Sequence, residues 1–356
     1  MSPQAAAAAA KRAPGVSLFV LLHRHGLFAL LVLVILLLLA ARSDPAATAL
    51  RLHAAPSLLH ASLAPGVAAM CAGRAPRAPA APLLAPPASA ASTAARGGGS
   101  PDAVFSQIYS TKRWSADGGG SGSGSTLSST ATLRAFIEML VYRHQVTRVL
   151  DAPCGSSFWW PELLQRLRAA VPCLAYHGVD VVRSVVDASR AAYAGDALTT
   201  FQVADLAAPG VGAGLRAAAA AAPFDLALCR DALQHLPLAL AVGVLENLAA
   251  SGARLVALGS YLEETAGNAE IPVGEYYKIN LLLPPFSLNA SRAVDVLNEA
   301  SSRRNERKYM LLFPGEYLAG LDYGAMRERA RQFAAARRAR AEEGAALAPR
   351  SGRAKA

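Results

Sequence analysis

Between residues 147 and 260 the chain alternates short apolar runs with segments whose apolar positions recur at helical spacing. The spacing predicts strands over Thr147–Asp151, Leu174–Asp180, Thr199–Ala204, Phe224–Cys229 and Arg254–Ser260. Helices are predicted over Trp160–Ala170, Val182–Tyr193 and Leu238–Ala250, and Leu133, Phe136, Ile137, Leu140 and Val141 mark a further helix upstream. Strands that alternate with helices imply a parallel sheet covered on both faces, an α/β doubly wound architecture. Between the third and fourth strands lies an alanine-rich insert (Ala217 to Ala222), expected as a surface helix or a loose loop. After Ser260 the rhythm stops: residues 261–308 hold Pro272, Pro284 and Pro285 and little periodicity, followed by a last strand at Tyr309–Phe313. Residues 321–356 read as a charged helix that frays into a tail.

The amino-terminal third follows other rules. Residues 1–15 form a short alanine-rich tail with Lys11 and Arg12, and residues 16–42 are dominated by apolar runs, unbroken from Gly26 to Ala41. Sixteen such residues at about 1.5 Å each span roughly 24 Å, enough for a thin membrane with help from the preceding apolar run. The expectation is a transmembrane signal-anchor. The alternatives are a cleaved signal peptide, an organelle transit peptide or a core helix. Lys11, Arg12 and Arg24 precede the span and fewer basic residues follow it closely, which favours a type II arrangement with the bulk of the chain in the lumen of the endoplasmic reticulum or Golgi. Residues 43–103 are rich in Ala, Pro and Ser and read as a disordered stem. The Gly/Ser stretch from Gly118 to Ser125 reads as more of the same linker, and the folded domain is expected over 104–320.

Charge changes this picture little. The net +10 resides in the ends: residues 101–320 carry 18 basic against 20 acidic side chains. A basic nucleic-acid groove in the folded body is therefore not expected. Cys71, Cys154, Cys173 and Cys229 show no CxxC and no Cys/His ligand spacing, so neither a metal site nor a disulfide framework is expected.

The candidate chemistry gathers where strands end. Asp151 closes the first strand and is followed by Ala152-Pro153-Cys154-Gly155. In an open parallel sheet the turn after the first strand borders the ligand crevice, and a glycine lets backbone come close to a ligand. A carboxylate there repels a pyrophosphate and suits a nucleoside bearing a cationic group, such as S-adenosylmethionine (SAM). Asp180 ends the second strand, placed to accept hydrogen bonds from ribose hydroxyls or to cap the following helix. Asp205 follows the third strand, facing an adenine amino group or serving as a plain loop acid. Arg230, Asp231 and His235 follow the fourth strand. A neutral imidazole can take a proton from an attacking hydroxyl, which makes His235 the candidate base; the alternative is a histidine that orients its turn. Asp231 either orients His235 or forms an ion pair with Arg230. Phe158, Trp159 and Trp160 offer a π-face to a sulfonium or belong to the core. Two GxGxG strings, at Gly210 and Gly120, lack the strand context of a phosphate loop, and a dehydrogenase glycine pattern is missing after the first strand.

Together these residues resemble the class I SAM-dependent methyltransferases. More narrowly, they resemble a group with a DAPCG first motif, carried here by Asp151 to Gly155. Trp114 with residues 122–126, the segment Asn280 to Phe286 and the stretch Tyr309 to Leu318 fit the same group. The resemblance covers about residues 105–318 and implies a mostly parallel seven-stranded Rossmann-like sheet. It implies that Asp151 and Gly155, with Pro153 beside them, hold the methionine part of SAM, Asp180 the ribose and Asp205 the adenine. Arg230 would border the cofactor, and Arg230, Asp231 and His235 would lie by the reacting groups. The group places an acid after the glycine, where this chain has Ser156. The expected activity is methyl transfer to a hydroxyl of a small molecule or, given luminal topology, a secretory-pathway glycan. The alternatives are an inactive methyltransferase-like module and a methyltransferase of another organelle.

Overall fold

The computed structural model describes Cys71 and residues 99–219, 222–300 and 307–347. The predicted tail, signal-anchor and all of the stem but Cys71 and its last residues lie outside these, as does the end of the carboxyl-terminal tail. Among the described residues no helix is long and apolar enough to cross a membrane.

Two helices lead into the sheet, α1 (Pro101–Thr111) and α2 (Ala131–Arg143). Then follow β1 (Arg148–Asp151), α3 (Trp160–Ala170), β2 (Ala175–Asp180), α4 (Arg183–Ala192) and β3 (Thr199–Val203). The chain continues through α5 (Val211–Ala218), β4 (Leu226–Cys229), α6 (Leu238–Ala250) and β5 (Leu255–Ser260). It closes with β6 (Asp295–Ala300), β7 (Arg307–Pro314), α7 (Gly315–Ala319) and α8 (Tyr323–Leu347). The seven strands form one sheet in the order β3-β2-β1-β4-β5-β7-β6. The first five are parallel, whereas β7 runs antiparallel to both β5 and β6. This seven-stranded mixed sheet with flanking helices fits a Rossmann-like methyltransferase.

Alternation along each strand builds two cores. Val256 and Leu258 of β5 pack on one face with Leu245 and Leu248 of α6. Leu255 and Ala257 pack on the other, with Leu140 of α2 and Leu163 and Leu167 of α3. Each fully buried leucine contributes on the order of 2 kcal/mol relative to exposure. The entry to β1 is pinned by Asp225, whose Oδ2 accepts from the Thr147 and Arg148 amides at 2.8 and 3.1 Å and from the Thr147 hydroxyl at 2.9 Å.

Three features depart from the sequence reading. The stretch 118–125 is ordered as two short 3-10 turns rather than a linker. The strand β6 lies within the segment that lacked periodicity; it is an edge strand, so only one side pairs, and exposed Val296 and buried Glu299 invert the usual pattern. Cys71 is disulfide-bonded to Cys173 across 102 residues, against the expectation of none, because no local motif marks a pair brought together only by folding. The irregular chain between β5 and β6 is held by two buried asparagines: Asn268 Nδ2 donates to the Asn280 and Pro284 carbonyls and Asn268 Oδ1 accepts from the Asn280 amide, each at 2.8 Å.

Candidate active site

Parallel pairing aligns the ends of β1, β2, β3 and β4 on one edge, opposing Asp151 to Gly178 and Asp180 to Val203. The loops that leave this edge surround a cleft enclosing about 1000 Å³ of non-protein space, part of it open to solvent. Asp151, Pro153, Gly155, Asp180, Asp205, Arg230, Asp231 and His235 all line it.

Asp151 is buried, and its Oδ2 accepts hydrogen bonds from the Tyr176 hydroxyl at 2.8 Å and from Trp160 Nε1. Burial, opposed by these two donors, pushes its carboxyl up to about 7. Asp180 spends one oxygen on the amide of Val182 at the start of α4 and the other on the amide of Gly155, both at 2.9 Å. It thus closes the turn that leads into α4 and ties the first loop to β2, while each oxygen keeps a lone pair for a further donor. Burial raises its pKa. Asp205 accepts from the Ala207 amide at 2.9 Å, and burial raises its pKa as well.

Arg230 and Asp231 turn their charges toward each other and toward the antiparallel edge. Arg230 meets Asp231 Oδ2 at 2.9 Å and Glu299 Oε1 at 2.8 Å, and Lys308 Nζ meets Asp231 Oδ1 at 2.8 Å and Glu299 Oε2 at 2.6 Å. This quartet ties the loop after β4 to β6 and β7. Despite burial, the Arg230 and Lys308 cations hold the Asp231 carboxyl far below the usual range. Asp231 adopts a left-handed φ of 52°, a conformation rare outside glycine and retained here by the surrounding bonds.

Of the two roles open to Asp231, the ion pair with Arg230 is the one observed, and His235 is oriented by a carbonyl. Its Nδ1 lies 2.9 Å from the carbonyl of Glu275 rather than against Asp231. A carbonyl only accepts, so Nδ1 carries the proton and Nε2 keeps the lone pair in the neutral ring. Burial lowers the His235 pKa, which keeps that neutral form at pH 7. The ring packs against Trp114, with centroids 4.7 Å apart, and Tyr276, 5.7 Å apart.

The 118–125 turn covers the first loop. The Tyr109 hydroxyl donates to Ser121 Oγ at 2.8 Å, Ser121 Oγ to Ser156 Oγ at 3.0 Å, and Ser156 Oγ to the Gly118 carbonyl at 2.8 Å. Ser156, the departure from the group's acid, is therefore bound to the covering turn. Gly155 sits at φ 52°, and a Cβ there would fall 2.7 Å from Ser121 Oγ and 3.1 Å from the Tyr109 hydroxyl. Its bareness admits the chain's own turn as well as any ligand. Tyr109, Trp114 and Ser121 thus line the cleft without having been singled out as chemical residues. The run of glycines around Ser121 was the available signal, read as a linker. Among the aromatic trio, Trp160 is fully buried, while Trp159 and the exposed Phe158 line the cleft.

No family model and no curated protein matches the chain. Solved structures do. A magnesium protoporphyrin IX methyltransferase from Synechocystis PCC 6803 with bound SAM is 15% identical, covering 61% of this chain and 98% of that one at a TM-score of 0.39. A 1,6-didemethyltoxoflavin-N1-methyltransferase from Burkholderia thailandensis is 18% identical over 65% of this chain and 92% of its own, at 0.42. Human N-acetylserotonin methyltransferase is 10% identical over 53% and 54%, at 0.35. On its own strand order, with one antiparallel strand beside a parallel set and a cleft at the strand ends, the chain has the Rossmann-like fold of the class I SAM-dependent methyltransferases.

Proposed function

We propose that the protein is a methyltransferase that binds SAM in this cleft and methylates a hydroxyl. The observation that carries the reading is the convergence of all eight sequence-marked residues on one cleft, with Asp180 already bonded to the Gly155 amide. The cleft fits the cofactor: Asp151 offers a carboxylate to an ammonium, Asp180 spare lone pairs to ribose hydroxyls, and Asp205 an acceptor to an adenine amino group. SAM supplies a methyl group on a positively charged sulfur. His235 Nε2 accepts the hydroxyl proton as the oxygen takes the methyl group, and the Glu275 carbonyl keeps the ring in the required tautomer. The Arg230–Asp231–Glu299–Lys308 quartet fixes the loop that bears His235. The rest is alignment of donor and acceptor.

The compartment forms part of the same proposal. Disulfides persist in oxidising compartments, so the Cys71–Cys173 bond favours a luminal domain behind the expected signal-anchor at 16–42. In that setting secretory-pathway glycans supply the hydroxyl.

Calorimetry with SAM tests the cofactor: saturable one-to-one heat is expected, and its absence would exclude an enzyme of this kind. A His235→Gln variant is expected to bind SAM normally and to lose between ~10² and ~10⁴ in turnover. Full turnover in that variant would remove His235 as the base.

A further inference from the structure

We infer that the acceptor is an uncharged ring compound and that Trp114 is the residue that selects it, resting on its face beside His235. The first ground is charge. The cleft is lined by Asp151, Asp180, Asp205 and Asp231 and, among the described residues, by a single cation, Arg230. Arg230 is engaged by Asp231 and Glu299, and the remaining cation of that quartet, Lys308, is spent on the same two carboxylates. Arg113, the nearby cation that acts on His235, is paired with Glu275 at 2.8 Å. His235 itself is held neutral by burial. Among the described residues Asp151, Asp180 and Asp205 thus have no matching cation, while SAM brings a net charge of about one. An acceptor with its own carboxylate, sulfate or phosphate would find repulsion and no partner.

The second ground is shape. Trp114 follows α1 and stands at the centre of an aromatic group, 5.7 Å from the Phe105 ring, 6.2 Å from Tyr109 and 4.7 Å from His235. Tyr276, 43% exposed, extends the group through its own contact with the His235 ring, 5.7 Å away. Trp114 is half-buried and lines the cleft. Flat faces of this kind bind rings through apolar contact at little cost in side-chain entropy. The shared chemistry is an uncharged six-membered ring with a hydroxyl, presented either by a neutral pyranose or by a phenol.

The inference rests on the methyltransferase reading, and the experiment separates the two. The full chain is given SAM labelled in its methyl group together with methyl glycosides of neutral hexoses, their uronic-acid counterparts, simple phenols and hydroxybenzoates. Transfer is expected to the glycosides or the phenols, with kcat/KM at least tenfold lower for the matched carboxylated compound. Trp114→Ala is expected to raise the acceptor KM at least tenfold while the SAM Kd stays within twofold, and Trp114→Phe to recover most of the loss. Preference for a carboxylated acceptor would overturn the inference. So would an unchanged acceptor KM in Trp114→Ala, or no transfer to any uncharged compound by a protein that binds SAM. Failure of the wild-type protein to bind SAM would instead overturn the reading on which the inference stands.

Discussion

Asp151 shows how burial writes a pH dependence into one side chain. Its folded pKa of about 7 lies above the ordinary carboxylate value, so the fold without ligand favours the protonated form. That preference contributes stability fully present below about pH 4 and lost as the pH rises through about 7. A bound ammonium demands the carboxylate, so cofactor binding expels a proton at acidic pH. SAM affinity is therefore expected to fall by up to ~10-fold per pH unit below about 7 and to level off above it. Titration calorimetry between pH 5.5 and 8 in buffers of different ionisation heat reads both the affinity and the proton. Asp151→Asn is expected to weaken binding and flatten the profile. A slope that survives in that variant would assign the proton to Asp180, whose pKa burial also raises. The position of Asp151 was legible because it ends an apolar run before Pro and Gly. Its protonation was not, since that depends on how completely other elements bury it, against the opposing pull of the Tyr176 and Trp160 donors.

At the scale of elements, the five parallel strands and β7 were legible and β6 was not. β4 and β5 are buried along their whole length and β1 from Val149 on, so they read as apolar runs; β6 is an edge strand and spends Glu299 on the ion quartet. The same quartet makes β6 matter to the site, since it holds the loop after β4. Removing one charge from a buried group of this kind costs about 3–5 kcal/mol, because its partners are left uncompensated. Glu299→Gln is thus expected to lower the thermal midpoint by several degrees and to reduce turnover through the Arg230 loop. An unaltered melting curve would show the quartet to be energetically idle. The 118–125 turn was equally hidden: glycines and serines describe a flexible linker until Tyr109 and Ser156 supply the bonds that order it.

At the scale of the whole molecule, the Cys71–Cys173 bond joins two points 102 residues apart. A cross-link over a loop of this size stabilises by up to about 5 kcal/mol in the chain-entropy account, by restricting the unfolded chain. Cys173→Ser is expected to lower the denaturation midpoint accordingly, and reductant to do the same to the wild type and nothing to the variant. Equal midpoints with and without reductant would mean that the bond does not contribute. Local order is what the sequence determined alone. The α/β alternation, the acids at strand ends and the apolar faces of α2, α3 and α6 follow from periodicities of two and of 3.6 residues, which act on neighbours in the chain. The tertiary structure decided every relation between distant residues: the partner of Cys71, the carbonyl that fixes the His235 tautomer, the quartet that neutralises Arg230 and the turn that roofs Gly155. Their strength depends on separation in space and on exclusion of water, and neither quantity exists until the chain has folded.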